Sequence, residues 1–225
     1  MKTRKWQGES IIEIRFNIII VVYNVEQYLE RCISTVLPAL EKSDEIILSL
    51  GSSTDKSTEI SQRYAVENSN IKLIFQDGKG LSNARNCALR KATGDFILFV
   101  DSDDFVDTEA LKNLLEKIRS KEYEADIIIT DFYRYFEFLN KFIRVNQIGS
   151  RNLNGLEALP LVAAKRQSFW NVWRSVYRRT FLEKNQIHFK ENAYAEDIDF
   201  TIRVFLAGAP GTIHWPALLL LSGRP

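Results

Sequence analysis

The chain has 225 residues, of which 45% are hydrophobic and 26% charged, and its formal net charge at pH 7 is only +1. A chain of this length and composition can bury a substantial core in one domain without disulfides. The near-neutral charge does not indicate a basic surface, so nucleic acid is not an expected partner. No apolar run approaches the length of a membrane-spanning helix.

The cysteines indicate the compartment. Cys32 and Cys87 both lie in helix-like stretches beside apolar neighbours, which is typical of reduced core thiols in a reducing compartment. Charged residues such as Glu9 and Glu13 interrupt the N-terminal apolar pattern, so no signal peptide is predicted. We therefore expect a cytoplasmic protein, and peripheral contact with the inner face of a membrane stays open.

Short apolar runs alternate with helical patterns along the first 130 residues. Buried strands are predicted at residues 16–22, 45–50, 71–75, 95–100 and 125–130. Helices are predicted between them, at residues 25–40, 53–66, 82–92 and 108–120. This alternation is typical of an α/β protein with a mostly parallel sheet and helices on both faces. Ligands of such sheets bind outside the carboxyl ends of the strands.

The pattern changes after residue 130. Residues 131–145 are rich in aromatic side chains, and their irregular alternation leaves strand and helix both open. We expect these rings to be buried against the sheet, against a second copy of the chain or against a membrane. Further helices are predicted at residues 155–165 and 196–206, and a late strand at residues 213–221.

An acidic run, Asp101-Ser102-Asp103-Asp104, directly follows the predicted strand at residues 95–100. Carboxylates this close repel one another, and a divalent cation relieves that repulsion. Asp101 and Asp103 are two residues apart, so in an extended chain they share one face and can hold Mg²⁺ or Mn²⁺. Helix capping is the alternative, and it fits Asp107, directly before the helix predicted at residue 108.

Six blocks of sequence, in this order, resemble the family 2 glycosyltransferases, which have a GT-A fold. The blocks read IIIVVYNVE from residue 18, EIIL from 45, STDKS from 53, GLSNARN from 80, GDFILFVDSDD from 94 and EDIDF from 196. The resemblance covers about residues 16–205. It implies a Rossmann-like α/β sheet and an inverting, metal-dependent enzyme. Such an enzyme moves a hexose-type sugar from a nucleotide-sugar, with UDP-sugar expected, to a glycan, glycoprotein or lipid-linked acceptor.

The resemblance also implies roles for single residues. Asp101 and Asp103 match the family's DxD motif, which holds Mn²⁺ or Mg²⁺ and the donor diphosphate. Asp197 matches the catalytic base, with Glu196 beside it on the acceptor side. The residues expected at the nucleotide-sugar are Val21, Tyr23, Asn24, Glu26, Ser52, Asp77, Arg85, Asp101 and Ser102.

Four of these residues also have a purely structural interpretation. Tyr23 at a strand end can stack on a base or simply fill the core. Arg85 near a helix start is well placed for phosphate, but it can equally form a surface ion pair. Glu196 and Asp197 at a helix start also favour the helix dipole, whatever else they do.

The chain departs from the family's pattern after the second strand. The family usually has an Asp-Asp-Gly-Ser run there, in which an Asp recognises uracil, whereas this chain reads SLGSS from residue 49. No carboxylate is present at residues 49–52. Base recognition must then use backbone groups, Ser52 or another carboxylate such as Asp77, so the sequence leaves the nucleotide open.

Three further residues each have two interpretations. His214 is a candidate third metal ligand, because some family members use a histidine there, or a structural residue. Trp170 and Trp173 are candidates for an acceptor platform, because aromatic faces suit sugars, or they pack in the core.

The resemblance implies one GT-A domain with two halves. Residues 1–130 are expected to form the nucleotide-sugar-binding half and residues 131–225 the acceptor-side half. Family members usually continue beyond the position of Pro225, so a truncated or short member is expected. Self-association stays open. The alternative function is a catalytically degenerate subunit or scaffold that binds nucleotide or glycan without turnover.

Overall fold

The computed structural model describes residues 13–136, 139, 141–145, 151–164, 171–208, 213–215 and 219–222. Strands and helices alternate through its first part as predicted. The elements are β1 Phe16–Val22, α1 Leu29–Val36, β2 Glu45–Leu50, α2 Ser57–Glu67, β3 Ile71–Phe75, α3 Gly80–Lys91, β4 Phe96–Asp101, α4 Thr108–Arg119 and β5 Ile127–Ile129. The first three strands have the predicted bounds.

The second part contains shorter elements. They are β6 Asp131–Phe136, β7 Lys141–Val145, β8 Arg151–Leu153, α5 Gly155–Ala164, β9 Ser175–Arg178, α6 Arg179–Lys184, α7 Glu196–Ala207, β10 Ile213–Trp215 and β11 Leu219–Ser222. The sequence did not predict β8, β9 or α6. The predicted late strand at residues 213–221 is wrong as one element, because β10 and β11 belong to different sheets.

Two helix boundaries differ from the prediction for local reasons. Residues 25–40 contain only a short α-helix, because the chain first forms a loop in which Asn24 has a left-handed φ of 50°. Pro38 then lies in a 3-10 turn at Leu37–Ala39, where proline removes a backbone donor and ends the α-helix. At α4 the predicted cap is confirmed, since the Asp107 side chain accepts the Ala110 N–H at 2.9 Å.

The main sheet has eight strands in the order β3-β2-β1-β4-β9-β5-β10-β8. The strands β3, β2, β1 and β4 are parallel to one another, which confirms the mostly parallel α/β fold. β9 runs antiparallel to both β4 and β5, and β8 runs antiparallel to β10. The register aligns Val21 of β1 with Asp101 of β4 and Ser49 of β2, so these strand ends meet at one edge.

The two faces of the sheet carry separate hydrophobic clusters. On one face, Ile18 and Ile20 of β1 pack with the apolar sides of α1 and α4. On the other face, Ile19 packs with α3, α5 and α7. This alternation follows from the two-residue period of a strand, and full burial of each side chain is worth about 1.5–3 kcal/mol.

A second sheet, in the order β11-β6-β7, contains the aromatic segment. Phe132 is buried against Trp173, with ring centroids 4.9 Å apart. Tyr135 packs between Phe105 and Phe142, yet Phe142 keeps 44% of its surface exposed. The expected burial against the rest of the chain is therefore met at Phe132, whereas burial of Phe142 against a second copy or a membrane stays a prediction. The side chains of Phe136 and Phe138 lie outside the described residues.

None of the helices in the described ranges is both long enough and apolar enough to cross a bilayer.

Candidate active site

A cleft of about 770 Å³ opens at the carboxyl edge of β1, β2 and β4. The loops after these strands and the start of α3 form its wall. The lining residues are Val21, Tyr23, Val25, Ser52, Gln76, Gly78, Lys79, Gly80, Leu81, Asp101, Ser102 and Asp103. Val21, Tyr23, Ser52, Asp101 and Ser102 were all predicted from the sequence at the nucleotide-sugar.

Three carboxylates gather where β4 ends. One side-chain oxygen from each of Asp101, Asp103 and Asp104 lies within 4.8 Å of the other two. A turn produces this cluster, because the Asp104 N–H donates to the Asp101 carbonyl at 3.0 Å. Asp104 is only 6% exposed, and the sequence did not single it out as a ligand. Clustered, partly buried carboxylate oxygens suit a hard divalent cation such as Mg²⁺ or Mn²⁺.

Arg85 connects this acidic cluster to α7. Its guanidinium donates to Asp101 at 3.3 Å, to Glu196 at 3.2 Å and, in a shorter contact, to Asp197. Only 2% of Arg85 is exposed, and its guanidinium lies 5.1 Å above the ring of Phe189. The interpretation of Arg85 as a surface ion pair is therefore wrong, since its guanidinium is buried, while its three partners are each partly exposed.

The environment of Asp197 changes its proton affinity. Burial raises the pKa of this carboxyl to about 6, because the charged form loses its hydration. Arg85 lowers the pKa of Asp197, while the charges of Asp101 and Glu196 raise it. A carboxyl with a pKa near neutrality is suited to accept a proton at neutral pH.

The start of α7 places Glu196 and Asp197 beside Arg85. Ala195 has a φ of 58°, which is strained for a residue other than glycine. The helix dipole accounts for acidic residues in this first turn, including Asp199. Asp199, however, pairs with Arg203 at 2.6 Å, so only the other two acidic residues face Arg85.

Asn24 and Glu26 connect two loops and do not line the cleft. The Asn24 side-chain oxygen accepts the Thr54 N–H at 2.8 Å, and the Glu26 carboxylate accepts the Lys56 N–H at 2.8 Å. In return, the Glu26 N–H donates to the Asp55 carboxylate at 3.0 Å. These bonds hold the loop after β2 against the loop after β1.

Asp77 faces α3 and is absent from the cleft wall. Its carboxylate accepts from Cys87 at 3.1 Å, from Asn83 at 3.0 Å and from Arg90 at 2.7 Å. The hydrogen bonds from Cys87 and Asn83 lower the pKa of Asp77. The neighbouring Gln76 lines the cleft instead. Side chains alternate in direction along an extended segment, so only one of these two neighbours faces the cleft, and the sequence did not single out Gln76.

The position of His214 contradicts its assignment as a third metal ligand. The strand register places His214 beside Ile128, which is beside Val176, which is beside Leu98 of β4. Its backbone therefore lies three strands from β4, about 14 Å across the sheet at the usual strand spacing. Asp104 is the third carboxylate that the fold brings to Asp101 and Asp103.

The two tryptophans give no acceptor platform within the described residues. Trp173 is only 8% exposed and packs edge-on against Phe132, so the core-packing interpretation holds for it. Trp170 lies outside the described residues.

Asn86 is a residue whose contacts the sequence did not reveal. Its side chain donates to the Phe189 carbonyl at 2.8 Å and accepts the Phe189 N–H at 2.9 Å. Phe189 in turn stacks on Phe200 of α7, with ring centroids 4.3 Å apart. Asn86 belongs to the GLSNARN block that carries the family resemblance, but its partner Phe189 lies 103 residues away, so the sequence did not reveal the contact.

Comparison with known proteins identifies the family. The model of glycosyl transferase family 2 matches residues 17–193. This chain belongs to glycosyltransferase family 2. The uncharacterized glycosyltransferase EpsJ of Bacillus subtilis (strain 168) is 33% identical over 192 residues, which are 84% of this chain and 55% of that protein. The chain spans a little over half of two curated relatives, EpsJ and EpsH of Bacillus subtilis, and 18% of a third, GlyA of Streptococcus pneumoniae.

Solved structures show the same GT-A fold. The Staphylococcus aureus protein TarS 1–349, in complex with UDP-GlcNAc, matches with a TM-score of 0.76 at 24% identity, covering 94% of this chain and 59% of that one. The mannosyltransferase PcManGT from Pyrobaculum calidifontis, in complex with GDP-Man and Mn²⁺, matches with a TM-score of 0.67 at 16% identity, covering 95% of this chain and 58% of that one.

Proposed function

We propose that this chain carries the catalytic site of an inverting, metal-dependent glycosyltransferase that takes a hexose-type sugar from a UDP-sugar. The observation that carries this proposal is Arg85, which joins the acidic cluster at the cleft to Asp197 on α7. The acidic cluster at the cleft and the partly buried carboxylate of a candidate base thus belong to one charge network.

The donor assignment rests on the cleft and on two related folds. TarS is described in complex with UDP-GlcNAc, and PcManGT in complex with GDP-Man and Mn²⁺. In this chain, Tyr23 stands at the end of β1 with 59% of its surface exposed, so its ring face is available to stack on a base. Lys79 and the N-terminus of α3 line the same cleft and suit a diphosphate.

Asp101 and Asp103, with Asp104 beside them, would hold Mn²⁺ or Mg²⁺. A divalent ion there supplies positive charge that offsets the charge developing on the departing diphosphate. Asp197 accepts the proton of the acceptor hydroxyl on a carboxylate oxygen while Arg85 fixes its position. The acceptor oxygen forms a bond to the anomeric carbon as the bond from that carbon to the diphosphate breaks, and one such displacement inverts the configuration. A positioned base typically contributes about 10²–10⁴-fold.

The acceptor and the cellular location belong to the same proposal. A glycan, glycoprotein or lipid-linked acceptor supplies the hydroxyl group that the mechanism needs. Both cysteines are free thiols, which supports a cytoplasmic location. Partly exposed Phe142 on β7 provides an apolar side chain for contact with a second copy of the chain or with the inner face of a membrane.

Nucleotide binding with and without Mn²⁺ tests the proposal. We expect calorimetry to show UDP binding that Mn²⁺ strengthens, and Asp103→Ala to lose at least about tenfold in affinity together with the metal dependence. Asp107→Asn is the control, because it removes the same charge from a residue that caps α4 outside the cleft and keeps a good cap.

Unchanged Mn²⁺ dependence in Asp103→Ala would show that the metal assignment is wrong. Tighter binding of GDP than of UDP would reject the UDP assignment. Binding of UDP-sugars with no transfer and no donor hydrolysis by the pure protein would favour the scaffold function.

A further inference from the structure

Gly51 lies buried beside two residues of the cleft wall, Tyr23 and Gln76. A Cβ atom at this position would lie 3.0 Å from Tyr23 Cδ2 and 3.6 Å from Gln76 Nε2. Gly51 does not have a left-handed φ, so the backbone conformation does not require glycine here. The missing side chain instead lets the Tyr23 ring and the Gln76 amide both approach the backbone at residue 51, so an aromatic ring and an amide lie near each other in the cleft wall.

Gln76 presents an available side-chain amide to the cleft. Its backbone N–H donates to the Leu50 carbonyl at 3.1 Å, which fixes the residue beside the end of β2. Its side-chain amide makes no hydrogen bond with any residue that the structure describes, and it lines the cleft. The adjacent carboxylate of Asp77 is bonded to α3, and the described carboxylates that line the cleft belong to the acidic cluster.

We propose that Gln76 binds the hydrogen-bonding edge of the donor's pyrimidine base, as a neutral substitute for the carboxylate absent at residues 49–52. This inference rests on the proposed function. An amide offers one acceptor and one donor side by side. Its oxygen can accept the N3–H of uracil while its nitrogen donates to a ring carbonyl of the same base.

The amide also has a consequence for selectivity. Rotated by half a turn, the same group donates to the N3 atom of cytosine and accepts from its exocyclic amine. A carboxylate has no donor and therefore favours uracil, which carries an N3–H. We thus expect the wild-type chain to distinguish UDP from CDP less sharply than a site with a carboxylate does.

Calorimetric titration of the full chain with UDP and with CDP, in the presence of Mn²⁺, tests this inference. Gln76→Ala should weaken UDP binding on the order of tenfold, which is the effect of losing one or two net hydrogen bonds. Gln76→Glu should raise the ratio of UDP to CDP affinity on the order of tenfold. The carboxylate has no N–H to donate to the N3 atom of cytosine, but it can still accept the N3–H of uracil. Gln62→Glu makes the same charge change on the exposed surface of α2 and should leave the ratio unchanged.

Two results would overturn the inference, and they are distinguishable. If the wild-type chain binds UDP while both Gln76 variants keep its affinity and its UDP-to-CDP ratio, Gln76 does not contact the base and the proposed function is unaffected. If the wild-type chain binds no nucleoside diphosphate, the proposed function is wrong and this inference is wrong with it. Circular dichroism of each variant confirms that it is folded.

Discussion

At the scale of single residues, Arg85 determines the electrostatics of the candidate site. Its guanidinium is almost fully buried and serves Asp101, Glu196 and Asp197 together. Removing it would leave three partly buried carboxylates without this shared partner, and lysine would not reproduce the forked geometry. Arg85 thus links the three carboxylates and fixes the orientation of the candidate base.

Asp197→Asn separates catalysis from binding. The amide has the size of the carboxylate but does not accept the acceptor's proton, so sugar transfer should fall by a factor on the order of 10² or more while donor affinity stays nearly constant. Glu196→Gln is the comparison and should have a milder effect. The test measures the rate of sugar transfer with a working acceptor, together with donor affinity, for the wild type and for both variants. Full activity would place the base elsewhere, and an equal loss of donor binding would place Asp197 in the donor pocket.

The raised pKa of Asp197 also predicts how the stability of the Asp197→Asn variant, relative to the wild type, changes with pH. A carboxyl whose pKa is higher in the folded state stabilises the fold below its unfolded pKa, and this contribution is lost as the pH rises through about 6. At pH 8 the buried charge is therefore unfavourable. Asp197→Asn should melt at or above the wild-type temperature at pH 8 in EDTA, and the difference should shrink towards pH 5.

At the scale of elements, α3 and α7 meet through a short segment centred on Phe189. Asn86 of α3 holds both backbone groups of Phe189, and the Phe189 ring stacks on Phe200 of α7. The position of Asp197 relative to Arg85 thus depends on a side chain whose described hydrogen bonds go to Phe189 and Glu191. Asn86 is a positioning residue in this arrangement.

Asn86→Ala should lower kcat for sugar transfer more than it changes the KM for the donor. The variant leaves two buried backbone groups without partners, at a cost of about 1–3 kcal/mol in the free energy of unfolding. Asn185→Ala is the matched control, because Asn185 donates one hydrogen bond to Phe181 at the end of α6, away from Arg85. Equal kinetic effects in the two variants would show that Asn86 only stabilises the fold.

At the scale of the whole molecule, the two predicted halves interleave. β9, at residues 175–178, lies between β4 and β5, so the second half of the chain completes the sheet of the first. The clusters on the two faces also share strands, since Ile19 and Ile20 of β1 are buried on opposite sides. Neither face has a core that is independent of the other.

We predict that the chain unfolds as a single domain. Ile19→Ala and Ile20→Ala should each reduce the free energy of unfolding by about 2–5 kcal/mol within one transition, measured by both circular dichroism and tryptophan fluorescence. Ile143→Ala on the partly exposed surface of β7 is the control and should cost far less. Two separate transitions would contradict the single-domain prediction.

The sequence by itself determined the features that local periodicity and residue chemistry encode. The short apolar runs predicted the bounds of β1, β2 and β3, because a buried strand consists of consecutive apolar residues. The acidic cluster could be predicted from the sequence, because Asp101 and Asp103 are close along the chain and directly follow the residues of a buried strand. Asp107 could be identified as a helix cap for the same local reason.

Tertiary structure alone decided which distant groups became partners. Arg85 meets Asp197 across 112 residues, and β9 inserts beside β4, although no local pattern marks either pairing. α3 draws the Asp77 carboxylate towards itself and leaves Gln76 to face the cleft. The periodicity of the sequence indicates whether a side chain is buried. The identity of its neighbour depends on which strands and helices pair, and those elements are far apart along the chain.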